Sequence, residues 1–303
     1  MQNFPRAKYS FVVGFLLVGL SSLQAQATTL VGSTPGEFAV GQSGAASYNI
    51  PIQVPPGING MAPTLSFQYN SQVHNGLLGL GWNLAGLSYI TRCPSTIAQG
   101  GVIDGVDFDS NDKFCLDGQR LKKLASPNDT GTDSYGSYTE YRTDVDIFSR
   151  VRSYGTAGSG PASFRVWTKS GRLMEYGVAS SPNDELLNSA ASPASRVEAK
   201  GLSDVLVWAL NKAIDTSGNY MTISYTEDAA TGEFRVKQID YTGNAGQSLS
   251  TYASVRFGYE SRTDSILRYI SGSKNKTTQR LTNVTTYVSS TVVKDYRLSY
   301  GSY

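Results

Sequence analysis

Large apolar and polar side chains alternate along much of this chain, and a period of two predicts strands rather than helices. After Pro63, the run Thr64-Leu65-Ser66-Phe67-Gln68-Tyr69 puts Leu65, Phe67 and Tyr69 on one face. Tyr48 to Ile52 precedes it across a turn-rich bend, Pro55 to Gly60, so the two segments read as a hairpin. The same grammar recurs in Phe164 to Thr168 and Leu173 to Tyr176. They flank Lys169-Ser170-Gly171-Arg172, with glycine where a positive φ is needed. Leu206 to Leu210 and Met221 to Tyr225 flank another turn, and Arg235 to Ile239, Ser254 to Tyr259, Leu281 to Tyr287 and Val292 to Tyr300 continue the series. A helical period never lasts three turns. Leu202, Val205, Leu206 and Ala209 would fit one helix face, but Trp208, the β-branched content and the following Gly-Asn turn favour a strand. The expectation is an all-β fold, a multi-stranded antiparallel β-sandwich.

Glycines punctuate this pattern in three places. In Gly76-Leu77-Leu78-Gly79-Leu80-Gly81-Trp82, Gly79 and Gly81 let backbone pass close to a neighbour, with Leu77, Leu80 and Trp82 expected inward. The run lacks the Gly-Lys-Ser/Thr of a phosphate loop and the strand-to-helix setting of a dinucleotide fingerprint, so its role is structural. Leu84 to Ile90 reads as a further strand or bend entering Arg92-Cys93-Pro94. Asp117-Gly118 is a strong turn dipeptide. In Asp215-Thr216-Ser217-Gly218-Asn219, Asp215 caps the turn, Gly218 takes the unusual backbone angles and Asn219 supports a left-handed position.

The first 27 residues form a separate object. Arg6 and Lys8 open a basic start, Ser10 to Leu20 is almost wholly apolar, and Ala25-Gln26-Ala27 offers a small-x-small site. This is the pattern of a secretory signal peptide cleaved after Ala27, and the apolar run is short for a membrane span. Residues 28–47, rich in Gly, Ser, Thr and Ala, read as a flexible or extended lead-in. Residues 48–303 read as the β domain, with a candidate internal boundary in the aperiodic stretch 180–195. The alternating run Tyr296 to Tyr300 either pairs within this chain or belongs to a longer protein from which the sequence is cut.

Charge and chemistry narrow the function. The 303 residues carry 26 basic and 24 acidic side chains, and the leader holds two of the basic ones, so the remainder is formally near neutral. No dense basic run follows, which argues against nucleic acid. Export permits a disulfide between Cys93 and Cys115, worth about 3 kcal/mol in the chain-entropy model, the alternative being two buried thiols. The single histidine, His74, sits in a polar turn with no Gly-x-Ser-x-Gly elbow, so no catalytic residue is assigned. Two cysteines and one histidine do not make a closed zinc site, and no cofactor is implied. Asp104, Asp107, Asp109, Asn111, Asp112 and Asp117 crowd one stretch. Its opening spacing resembles a calcium loop, but Asp112 stands where that loop needs glycine and Gly118 where it needs glutamate. A solvated turn cluster, or salt bridges to Lys113, Arg120 and Lys122, is the favoured reading. Exposed aromatic residues on strands keep a secreted adhesin or carbohydrate-binding module as the alternative.

Several segments together resemble a known family. They are Pro63 to Asn70, Gly79-Leu80-Gly81-Trp82-Asn83-Leu84-Ala85-Gly86-Leu87 with Ile90 to Pro94, Phe108 to Leu121, Gly171 to Gly177 and Trp208 to Tyr225. They are similar to the N-terminal domain shared by the Salmonella virulence plasmid B protein and the B components of insecticidal toxin complexes. The Trp208 to Tyr225 region also resembles rearrangement-hotspot (Rhs) repeats. The resemblance implies part of an Rhs-like β-shell, and a non-catalytic scaffold that helps assemble or carry a C-terminal effector. Its implied partners are integrin-like or Rhs-repeat segments, a toxin module of the same or a companion protein, and a host surface or pore component. It implies no catalytic residue within this segment. Cys93, Cys115, Gly79, Gly81, Trp82, Asp117, Gly118, Trp208, Asp215, Gly218 and Asn219 are expected to be architectural.

Overall fold

The computed structural model describes residues 35–178 and 195–301. The expected signal peptide, residues 1–27, lies outside these, as does nearly all of the stretch 180–195. Residues from Pro35 onward belong to one compact unit.

Two sheets dominate the described residues. The smaller joins β1 (Glu37–Val40), β2 (Ala46–Ile52), β3 (Leu65–Asn70) and β6 (Trp82–Ala85) in that order, all antiparallel. The lead-in is therefore hydrogen-bonded into a sheet from Glu37 onward, and the hairpin expected around Pro55 to Gly60 forms. Leu65 and Phe67 are buried, as their spacing predicts. A two-strand ribbon, β4 (Asn75–Gly76) with β5 (Gly79–Leu80), interrupts the path to β6.

The larger sheet begins with β7 (Tyr89–Cys93), β8 (Lys113–Leu116), β9 (Gln119–Lys123), β11 (Gly136–Thr143), β12 (Arg150–Tyr154), β13 (Ser163–Trp167) and β14 (Leu173–Tyr176), each paired with the next. A long strand, β16 (Val205–Ile214), pairs with β7 through its first half and with β14 through its second. That double pairing closes eight strands into a barrel. The short strands β10 (Thr130–Asp133) and β15 (Arg196–Glu198) add to β11 and β16. Beyond the barrel, β16 leads into β17 (Asn219–Asp228), β18 (Glu233–Asn244), β19 (Ala253–Ile270), β20 (Ser273–Val288) and β21 (Thr291–Arg297), an open antiparallel run. The terminal alternating segment thus pairs within the chain, on β20. A single helical turn, α1 (Ile97–Gly100), is capped by the Thr96 hydroxyl.

The four-stranded sheet packs on the open run. Phe67 meets Tyr296 with ring centroids 6.1 Å apart, the Tyr296 hydroxyl accepts from Gln53 N, and the Tyr241 hydroxyl donates to Pro55 O at 2.8 Å. One continuous apolar cluster runs from Ile52, Leu65 and Leu84 through Ile90, Val151, Phe164 and Trp208 to Ile239, Val255 and Leu281. The fold is an all-β barrel joined to a sandwich-like pair of sheets. In the glycine run the packing departs from expectation. Leu78 is the buried leucine, and Leu80 is exposed because the tight ribbon turns its side chain outward.

Candidate functional site

The residues singled out by sequence fall at turns and seams of this framework. Cys93 and Cys115 are disulfide-bonded with Cα atoms 5.9 Å apart, which staples β7 to β8. Asp117 and Gly118 join β8 to β9 with φ of 49° and 81°, a two-residue turn of the primed kind that matches strand twist. The Asp117 carboxylate accepts from Tyr89 N at 2.8 Å and from the Ser88 hydroxyl at 2.7 Å. The Ser88 oxygen in turn lies 2.8 Å from the Tyr176 hydroxyl. Burial pushes the Tyr176 phenol well above its ordinary range. Gly79 and Gly81 have φ of 91° and 77°, and a Cβ on Gly81 would lie 2.5 Å from the Tyr69 ring. Trp82 packs against Tyr69 at 5.4 Å and Tyr48 at 6.5 Å.

Trp208 is fully buried. Its ring stands edge-on to Phe164 at 5.1 Å and Phe114 at 5.4 Å, and its Nε1 donates to Pro161 O at 3.1 Å. At the β16–β17 turn, Asp215 accepts from Ser217 N, Asn219 N and the Asn219 amide, each within 2.9 Å, and Gly218 has φ of 80°. Burial alone would raise the Asp215 pKa. The bonds from Asn219 and Ser217 outweigh it and hold the carboxyl below the usual range. The Asn219 side-chain oxygen then accepts from Asn244 at 2.7 Å, which ties the turn to β18.

The acidic stretch differs from the sequence expectation. Asp112 is buried and pairs with Arg92, Nη1 to Oδ2 at 2.6 Å, both side chains having no exposed area. It also accepts from Phe108 N at 3.0 Å. Arg92 reaches Val205 O through Nε at 2.8 Å, so this pair links β7, the acidic loop and β16. Lys122 pairs with Asp144 instead, and the Arg120 guanidinium donates to Pro94 O. Carboxylate oxygens of Asp107, Asp109 and Asp112 lie within 4.8 Å of one another, and desolvation together with the neighbouring carboxylates raises the Asp107 pKa. Arg92 already supplies the compensating charge at the buried end. His74 is exposed in the turn before β4.

A second charged feature was not foreseen. Strand register aligns Glu140, Arg152, Arg165, Glu175 and Lys212 across β11, β12, β13, β14 and β16. Arg152 Nε meets Glu140 and its Nη1 meets Asp133, each at 2.8 Å, and Arg165 Nε meets Glu175 at 2.8 Å. Glu175 and Lys212 are essentially without exposure and face each other at the seam that closes the barrel. Glu140 and Asp133 are held below the usual carboxylate range: burial opposes this, but bonds from Arg152, joined at Asp133 by the Tyr154 hydroxyl, prevail. The only hint in the sequence is that Arg165 and Glu175 sit inside otherwise apolar strands.

On the four-stranded sheet, a shallow groove of about 310 Å³ is lined by Glu37, Ser47, Asn49, Gln68 and Asn70 among others. Tyr48 and Tyr69 also line it, with their rings packed against Trp82, so the groove combines amides with the edges of a small aromatic cluster. These arrangements brace strands and turns; none gathers a base and a nucleophile among the described residues.

Comparison with known proteins fits this picture. The chain is similar to the N-terminal domain of the effector protein SpvB from Salmonella typhimurium strain LT2, with a TM-score of 0.65 and 17% identity over 83% of this chain and 93% of that one. It is similar to a TcdB2–TccC3 structure, with a TM-score of 0.65 and 19% identity over 84% of this chain. The Photorhabdus luminescens Tc holotoxin pore gives a TM-score of 0.65 and 18% identity. The chain spans 14% of the length of either toxin-complex chain. No curated protein matches it. A family model described as Salmonella virulence plasmid 65kDa B protein matches residues 40–296, most of the barrel and both sheets, and the chain belongs to that family.

Proposed function

We propose that this chain is a non-catalytic β scaffold of an exported toxin-delivery protein, helping to assemble or carry an effector module. The observation that carries the reading is the shared fold with the SpvB N-terminal domain, over nearly the whole of that domain. The buried groups described above support it. Arg92–Asp112, Arg165–Glu175 and the Asp117 and Asp215 turns use their polar atoms to hold strands together, which suits a wall. Cys93, Cys115, Gly79, Gly81, Trp82, Asp117, Gly118, Trp208, Asp215, Gly218 and Asn219 are architectural in this reading.

Its partners are Rhs-repeat or integrin-like segments and a toxin module, of the same or a companion protein. Solved relatives pair TcdB2 with TccC3, which supports a companion toxin component in general terms. The protein reaches its place by export, with the leader removed after Ala27. N-terminal sequencing of secreted material should begin at Thr28. The scaffold reading is tested by co-expressing the chain with the segments encoded beside it and following co-elution on gel filtration. A stable complex that shields the toxin module from protease supports it. A chain that elutes alone and leaves the module exposed contradicts it.

A further inference from the structure

The longest strands of the molecule, β19 and β20, run past the body of the sheet as an arm. Its stem is fixed. The Arg262 guanidinium, buried, donates to Gly76 O at 2.7 Å and Asn75 Oδ1 at 2.9 Å, and Glu233 accepts from Thr278 N at 2.9 Å and Gln279 N at 3.2 Å. Its end is held along one edge, where Lys276 N donates to Thr231 O at 2.9 Å and the Asn275 amide to Gly232 O, and its Leu267 face is exposed. Register sets Leu267 opposite Lys276 and Tyr269 opposite Lys274, so these four side chains share one face. Leu267 is 50% exposed and Tyr269 64% exposed, and Ile270 stands exposed at the turn beside them. From Ser265 to Lys294 the sequence has no acidic residue, while Arg268, Lys274, Lys276, Arg280 and Lys294 are basic.

We propose that the β19–β20 arm docks on an anionic lipid surface through Leu267, Tyr269 and Ile270 flanked by Lys274 and Lys276. An aliphatic residue, a tyrosine and lysines side by side are what a bilayer interface accommodates. The apolar tips enter the headgroup boundary, the phenol stays at its level, and the ammonium groups meet acidic headgroups. An anionic polysaccharide would satisfy the lysines and leave the apolar tips in water. A second apolar surface offers a contrast. Ile97, Val102 and Ile103 stand exposed near Val145, Ile147 and Phe148, the two loops being joined by a Gln99–Asp144 hydrogen bond. Asp104, Asp107, Asp144 and Asp146 lie in these two loops against the single ammonium of Lys169 over the Phe148 ring at 4.7 Å, so the loops carry more negative than positive charge.

The test is co-flotation of the full chain with vesicles of phosphatidylcholine alone or with about 30% phosphatidylserine, at low and high salt. Every variant carries the same N-terminal segment, so its apolar run contributes equally throughout. The wild type should bind the anionic vesicles selectively and lose them in high salt. A surface lysine contributes about fivefold in partitioning, so Lys274→Gln/Lys276→Gln should weaken binding about 25-fold. Leu267→Ser/Tyr269→Ser should weaken it at least about tenfold, and Ile103→Ser/Phe148→Ser should bind like wild type. All are surface changes, and unchanged melting curves would show that each variant is folded. Equal binding to neutral and anionic vesicles overturns the proposal. So does an arm variant that binds like wild type, or retention of the arm by a companion protein with no vesicle binding.

Discussion

Glu175 sits where the barrel closes, and its replacement tests whether the buried charges hold that seam. Its carboxylate pairs with Arg165 at 2.8 Å and faces Lys212 across the β14–β16 register, and Arg165 in turn faces Arg152. In Glu175→Leu, the Arg165 guanidinium remains buried without the carboxylate it pairs with. Breaking one side of such a pair typically costs about 3–5 kcal/mol, because a buried charge is left uncompensated. In a chain of this size about 4 kcal/mol lowers Tm by roughly 10 °C. Arg165→Met alone should cost a similar amount, since it leaves the Glu175 carboxylate buried without its guanidinium. The double variant, Arg165→Met/Glu175→Leu, removes opposite charges together and should recover much of the loss. Urea unfolding followed by far-ultraviolet circular dichroism measures all four proteins, and the coupling energy follows from the cycle. A Glu175→Leu protein within about 1 kcal/mol of wild type, or a double variant whose loss equals the sum of the singles, would refute the reasoning.

Three further outcomes follow from the same structure. Cys93→Ser/Cys115→Ser opens a loop of sequence separation 22 and should cost about 3 kcal/mol, read as a lower urea midpoint under oxidising conditions only. Gly81→Ala should cost about 1–3 kcal/mol, since the new Cβ combines a positive φ with a 2.5 Å approach to Tyr69; melting curves report it. Above neutral pH, stability should be level up to about 10 and fall beyond it. Burial raises the phenols of Tyr89, Tyr176, Tyr225 and Tyr259, and Tyr241 is pushed up to about 12. The unfolded chain ionises first, so each fully buried tyrosine should subtract ~1.4 kcal/mol per pH unit until it too ionises. A step in phenolate absorbance that coincides with unfolding checks this, and ionisation of these buried tyrosines while the fold persists contradicts it.

Strands with one wet face were legible in the sequence. Thr64 to Tyr69 and Met221 to Tyr225 alternate because one side meets the core, and their pairing and burial match that rhythm. The turns at Gly171, Asp117-Gly118 and Gly218 were legible because only a few residue types tolerate their backbone angles. The outer arm was not. Residues 262–270 and 273–280 are strand, but both faces are largely wet, so no apolar period marks them. Nor was Leu78 separable from Leu80, because three leucines among glycines fit either face. The Arg92–Asp112 pair and the Glu140-to-Lys212 row arise from contacts between strands, and spacing along one strand carries no record of its neighbour. The barrel itself was hidden for the same reason: its closure depends on which strand β16 meets twice.

That shared strand has a consequence for how the protein is made. Seven of the eight barrel strands lie before Val178, yet the one that joins their two ends begins at Val205. A chain emerging from a ribosome or an export channel therefore presents a row of hairpins with two open edges until that strand follows. The ring closes only once that strand has emerged, with five further strands still to come. Until then β7 and β14 are available to any passing strand, and a product broken off between 178 and 205 should aggregate rather than fold into a smaller version of the whole.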